Sequence, residues 1–372
     1  MFDLENSLVS RLRPLLGLVT LCAGLALSGP AMAAAPPVAN DDAFSSNTSS
    51  APTGGPELVL VPENTLTSPA IDLAATANGG FFLVWEKYRG AYIAGVDNTD
   101  LYGQIFSSGG AALSGQLELS TGVAQDPAVS LLDNDGFAAT WGNFQYCGHN
   151  CYSNDVRTRA FSATAATGST TVVIDNDISS DGFYSDVATL SGGYIVVWLG
   201  SNKIYARRFD NSGIALGPTF EIATVDGTSR PGVAPLAGGG FVLTWSQNLT
   251  SGADTEGSAI LARQYDAAGT PTGAAFVVNT TTALNQTSPT VAGLNDGGFV
   301  IAWTHSLVGG PDIRAQRYDS GGSQIATEFT VNVATAASQI DADIAPLSDG
   351  GFVVSWSSDG TTTDDPDGYG VR

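Results

Sequence analysis

Pro289-Thr290-Val291-Ala292-Gly293-Leu294-Asn295-Asp296-Gly297-Gly298-Phe299-Val300-Ile301-Ala302-Trp303 is the stretch that decides the fold. A short apolar run leads into Asn-Asp-Gly-Gly, and a second apolar run follows. Asp-Gly and Gly-Gly tolerate positive φ, so the stretch reads as a β-hairpin. Its second half recurs along the chain. The copies are Gly80–Trp85, Gly136–Trp141, Gly193–Trp198, Gly240–Trp245, Gly298–Trp303 and Gly351–Trp356. They account for all 6 Trp of the 372 residues. The Trp-to-Trp spacings are 56, 57, 47, 58 and 53. Self-similarity at a period near fifty residues is the mark of a repeat architecture.

Each copy continues alike. If the run before the glycines is strand a and the Phe-to-Trp phrase is strand b, a variable loop leads to strand c. Ile204–Phe209, Ile260–Tyr265 and Ile313–Tyr318 are its clearest examples, and the first two copies read Leu101–Phe106 and Val156–Phe161. Asp-x-x-Gly turns follow at Asp210–Gly213, Asp266–Gly269 and Asp319–Gly322. Strand d is then Phe220–Ile222, Phe276–Val278 or Phe329–Val331. Four short antiparallel strands per repeat predict the blades of a β-propeller. In strand b, Phe241, Leu243 and Trp245 point one way and Val242 and Thr244 the other. A strand with little polarity on either face is buried on both. Glu57–Val61 matches a lone strand d, and Tyr369–Arg372 matches the start of a last strand c. The expected fold is therefore an all-β, six-bladed β-propeller of four-stranded antiparallel blades. Its ring is closed by the N-terminal d strand joining the C-terminal a, b and c strands, which removes an open sheet edge.

Arg11 and Arg13 precede the apolar run Leu15–Leu27, and Ala31-Met32-Ala33 follows. This pattern predicts a cleaved signal peptide at 1–33. Residues 34–55, rich in Ala, Pro, Ser and Thr, read as a flexible leader, and 56–372 as the propeller. No later stretch is apolar for long enough to span a bilayer. The expected setting is extracellular or periplasmic, in a bacterium. The formal net charge of -22, from 14 Lys plus Arg against 36 Asp plus Glu, argues against a nucleic-acid partner. A hydrophobic content of 43% argues against a disordered chain.

More than half of the acids beyond residue 33 fall in the predicted d–a and b–c connections, which share one face. Only Lys87, Arg89 and Arg230 offset them there. Asp97 and Asp100, Asp175, Asp177 and Asp181, and Asp364, Asp365 and Asp367 place hard oxygens at the short spacings that Ca2+ takes. They are the candidate metal ligands, although no EF-hand pattern is present. Turn-making and solubilising charge is the competing account of the same residues. Cys147 and Cys151 lie four apart and Cys22 leaves with the signal, so a disulfide is expected in an oxidising compartment. His305 reads as structural. No G-x-S-x-G, H-E-x-x-H or P-loop occurs. Asp349 lies seven residues before Trp356 rather than the five of a sialidase Asp box.

The full repeat, Pro-x-Val-Ala-x-Leu-x-Asp-Gly-Gly-Phe-Val-Val-x-Trp, then Ile-x-Ala-Gln-Arg-Tyr-Asp and Phe-x-Val-Asn, resembles repeats of large exported bacterial proteins. These repeats often accompany calcium-binding RTX or cadherin-like modules. Pro36–Ala43 resembles the joint that precedes cadherin-like repeats. The resemblance is best over 287–356 and extends over 57–372; it implies a fold and a surface or secreted setting, and no reaction. The functional expectation is a binding or adhesion module. It would use the acidic loop face, with Ca2+, toward a protein or glycan at the cell surface. The alternatives are a glycan-active hydrolase or lyase on the same face, for which no catalytic residue is assigned, and a structural spacer of an envelope protein.

Overall fold

The computed structural model describes residues 70–371, apart from 77–78, 89–98, 149–150, 165–170, 176–183, 226–228, 250, 334–337 and 360–369. Every regular element in it is a strand. The first sheet holds β1 (Ile71–Ala75), β2 (Phe81–Tyr88), β3 (Thr99–Phe106) and β4 (Leu117–Ser120); the second holds β5 (Val123–Leu131), β6 (Phe137–Gly148), β7 (Cys151–Phe161) and β8 (Val172–Asp175). The third contains β9 (Ser185–Leu190), β10 (Gly193–Gly200), β11 (Lys203–Asp210) and β12 (Phe220–Thr224). The fourth contains β13 (Gly232–Pro235), β14 (Phe241–Asn248), β15 (Ser258–Tyr265) and β16 (Phe276–Val277). The fifth comprises β17 (Gln286–Gly293), β18 (Phe299–His305), β19 (Asp312–Tyr318) and β20 (Gln324–Thr330). The sixth, with β21 (Gln339–Pro346), β22 (Phe352–Ser358) and β23 (Gly370–Val371), shows three strands among the described residues. Each sheet is an antiparallel meander in chain order. The a, b, c and d strands thus fall where the repeat predicts them.

The turns explain the glycines. Between strands a and b, Leu294 N–H bonds Gly298 O and Gly297 N–H bonds Leu294 O. Gly297 then sits at φ 87°, a left-handed value that favours glycine. The second sheet uses Asp135, at φ 62°, in the same role. Between strands c and d, the Asp266 carboxylate accepts the N–H groups of Ala268 and Thr270, and Asp210 and Asp319 repeat this pattern.

The aromatic positions pair across strands. Phe241 opens strand b opposite Tyr265, which ends strand c, and their rings stack at 5.0 Å; Phe299 and Tyr318 stack at 4.8 Å. Such pairs stabilise a sheet beyond the area they bury. Most of the apolar core lies between sheets, although Phe81, Leu83, Trp85 and Phe106 form a cluster within the first. Phe241, Leu243 and Trp245 pack on the third sheet, whereas Val242 packs on Phe299, Ile301 and Trp303 of the fifth. Strand b of the fourth sheet is therefore buried on both faces, as its composition predicts. The first strands of consecutive sheets lie against one another, so the a strands are innermost. This is the arrangement of a β-propeller, with a central channel lined by a strands.

Candidate functional site

Pairing to strand b gives each innermost strand a common frame. The residue opposite the one before the Trp is Asp72, Ala128, Asp186, Gly232, Thr290 and Asp343 in successive sheets. Two positions earlier stand Ala70, Asp126, Tyr184, Arg230, Ser288 and Asp341. Both rings of positions lie on or at the ends of the innermost strands, which face the channel. The second lies at the end where the d–a and b–c loops emerge.

In the deeper ring, Asp72 accepts the N–H of Leu73 at 2.7 Å and that of Val129, in the next sheet, at 2.7 Å. Asp186 repeats this with Val187 and with Val233 of the fourth sheet, both at 2.8 Å. Asp343 accepts Ile344 N–H, and Thr290 of the fifth sheet donates its hydroxyl at 3.4 Å. Each carboxylate ties neighbouring sheets at the axis. Asp72 and Asp186 are half-buried and Asp343 is exposed. They line the channel, not a sealed core. Burial pushes the Asp186 carboxyl up to about 7, against the pull of its two N–H donors. Burial raises Asp72 well above the usual carboxylate range, and the charge of Asp343 adds to it. Burial raises Asp343 as well. The Asp343 charge bears on both Asp72 and Asp186. The first, third and sixth sheets therefore face one axis.

At the mouth, the Arg230 guanidinium lies over the Tyr184 ring, 4.2 Å from its centroid, a cation–π contact. Burial opposes its charge, yet Tyr184, Asp126 and Asp341 raise its pKa further. Asp126 and Asp341 each stand in a β-bulge, at φ 48° and 52°. Ser288 occupies the same bulge of the fifth sheet at φ 50°, so the bulge belongs to the repeat and the side chain is what varies. Bulges commonly re-aim side chains at functional sites. Buried Glu86, at the end of the first b strand, accepts the N–H of Asp126 at 2.9 Å and that of Ala70 at 3.3 Å. It fixes the backbone of two mouth positions. The arrangement presents a cation, a phenol and two carboxylates together, all hydrogen-bonding groups suited to a polar ligand.

Of the sequence-derived metal candidates, Asp100 alone has a described side chain. Asp100 lies in β3, buried, and its carboxylate accepts Gly122 N–H at 3.0 Å. Asp175 ends β8. The Asp175 side chain, and all of Asp97, Asp177, Asp181, Asp364, Asp365 and Asp367, lie outside the described residues. Among the described residues no group of three or more His, Cys, Asp or Glu is placed to hold a metal ion. Cys147 and Cys151 stand on adjacent strands of the β6–β7 hairpin, with side chains outside the described set. His305 is buried, and its Nδ1 lies 3.1 Å from Gln286 Nε2. Among the described residues no helix is long and apolar enough to cross a membrane.

Sequence reasoning singled out Arg230 only as a loop base, and it passed over Asp72, Asp126, Tyr184, Asp186, Asp341 and Asp343. A usable signal existed. Asp72 and Asp343 lie thirteen residues ahead of their Trp, and Asp186 lies twelve ahead. Only strand pairing shows that these offsets mark one position.

No protein-family profile and no curated protein sequence matches the chain. Solved structures resemble it at low identity. A protein of unknown function from Dyadobacter fermentans aligns at TM-score 0.51 and 11% identity, covering 81% of this chain and 92% of its own. The Penicillium chrysogenum α-L-arabinanase complexed with arabinobiose aligns at TM-score 0.50 and 16% identity, covering 81% and 91%. An ulvan lyase, a polysaccharide lyase bound to -[GlcA(1-4)Rha3S]-, aligns at 0.50 and 10%, covering 80% and 81%. At these identities the likeness concerns the fold.

Proposed function

We propose that the chain engages a glycan at the loop-side mouth of its central channel. The observation that carries this reading is the convergence of Asp126, Tyr184, Arg230 and Asp341 on the ends of the innermost strands. A concave site with a few convergent polar groups and perturbed carboxyls beneath is the arrangement expected of a ligand site. Two structures of similar fold have carbohydrate bound, which supports the choice of ligand. In the same proposal, the six sheets form a closed ring in which Glu57–Val61 supplies the fourth strand of the last blade. The repulsion by which the Asp343 charge raises the Asp72 carboxyl supports that closure. A chain exported through 1–33 would meet such a glycan outside the cell.

Glycoside cleavage is a second reading, favoured by one observation. Hydrolysis uses a protonated carboxyl beside an ionised one. Asp186 holds its proton to about pH 7, in the ring just below the mouth. Both its oxygens already accept N–H groups, so donation of that proton to a leaving group would require rearrangement.

The test is calorimetric titration of the purified chain with arabino-, xylo-, galacto- and uronate oligosaccharides, with chromatography of the products. Binding of one class, lost in Arg230→Ala while the melting temperature holds, is the expected result. Binding that is unchanged in Arg230→Ala, or absent for every sugar, overturns the reading.

A further inference from the structure

The mouth carries a charge pattern that bears on which glycans can enter. Arg230 is the one base in the two rings, against five acids: Asp126 and Asp341 beside it, and Asp72, Asp186 and Asp343 below. Its guanidinium is not an open anion site. One face covers the Tyr184 ring, and two carboxylates already act on its charge. A ligand carboxylate or sulfate reaching Arg230 would enter the field of Asp126 and Asp341, which already act on that guanidinium. Unit charges of like sign about 4 Å apart repel by about 1–4 kcal/mol even in polar surroundings, and less at longer range. Between partly buried groups, salt screens that repulsion less than at an open surface. The chain's net charge of -22 adds a long-range field of the same sign.

A sugar hydroxyl meets no such conflict. It donates to a carboxylate and accepts from a guanidinium at once. A ring with adjacent free hydroxyls can therefore bridge Arg230 to Asp126 or Asp341 without displacing either. We propose, building on the glycan reading above, that the channel mouth selects uncharged sugars and excludes uronates and sulfated sugars. Asp126 and Asp341 are its specificity-determining residues, and Arg230 serves hydroxyls rather than anions. Discrimination of this kind works by placing like charge against the wrong ligand. The same charges disfavour β-elimination of a uronate, whose substrate carries an obligatory carboxylate.

The experiment uses matched pairs that differ in the carboxylate, such as galacto-oligosaccharides against oligogalacturonates of equal length. Affinities are measured on the whole purified chain at low and at physiological salt. The neutral member is expected to bind about tenfold or more tightly than its uronate, with little salt dependence. In Asp126→Asn with Asp341→Asn the uronate should gain affinity and the gap should narrow to within about threefold. Each single substitution serves as a check should the double variant fail to fold. A uronate or sulfated sugar that binds as well as its neutral partner overturns the inference and leaves the glycan reading standing. A gap that survives both Asn substitutions overturns the assignment to Asp126 and Asp341. Absence of binding by either member of every pair overturns the glycan reading, and this inference with it.

Discussion

Aspartate does opposite work at the two ends of the blades. In the turns between outer strands, Asp210, Asp266 and Asp319 are solvated and each closes its own turn with two N–H bonds. On the same face, Asp133 is held below its ordinary pKa by Gly192 N–H and Asn211, and the Asp296 carboxyl stays low because Gly298 N–H and Arg317 outweigh burial. At the axis, Asp72 and Asp186 also accept two N–H groups apiece, yet their pKa values rise. The hydrogen-bond count is the same, so the donors do not explain the difference. Desolvation does. The innermost strands crowd Asp72 and Asp186 with protein and leave them less water than the turns retain, and burial favours the uncharged acid.

The comparison can be broken most severely at the crowding itself. A Cβ on Gly293 would stand 1.9 Å from Pro235 O of the neighbouring innermost strand. Gly293→Val should cost about 3 kcal/mol or more, or prevent folding. A chain that melts like wild type would show that the strands are not so close. Asp186→Asn sharpens the comparison next. The unfolded acid ionises near pH 4, about its ordinary value, and the folded one only near 7. The proton held by Asp186 thus contributes stability that is complete below about pH 4 and is lost as pH rises through about 7. Melting temperature should fall over that window in wild type and fall less in the variant. The opposite slope is expected of Asp133 and Asp296, whose contribution is present above the unfolded value and fades as pH falls. Equal slopes in wild type and Asp186→Asn would sink the idea of a protonated axis.

Arg230→Ala should weaken glycan binding about tenfold or more with a near-normal melt, since a central charged anchor is the usual site of large losses. The smallest effect is expected at the rim. Asp266→Ala should cost about 1 kcal/mol through its two turn bonds and leave glycan affinity unchanged. A loss of binding in Asp266→Ala would move the site to the opposite face.

Much of the fold was legible because it repeats. Six Trp phrases, the aromatic that begins strand b and the one that ends strand c follow from local rules, and the structure pairs them as Phe241 with Tyr265 and Phe299 with Tyr318. The degree of burial was not legible. β18 and β22 carry almost the same phrase, yet Phe299 and Val300 are fully buried while Val353 is 41% exposed. Burial comes from the neighbouring sheets, and the phrase does not encode them. The site was less legible still. Loop acids such as Asp97 and Asp364 drew attention by their spacing, whereas Asp126, Asp341 and Tyr184 are scattered singly and share no motif.

By itself the sequence determined the repeat, the strand order, the turn chemistry and the acidity of the chain, since all of these rest on contacts between residues near in sequence. The tertiary structure decided which single residues from separate repeats meet at the axis. It also decided that burial raises the pKa values of the carboxyls there. Both follow from the convergence of distant strands, which brings charges together and removes water, and neither can be read from any one repeat.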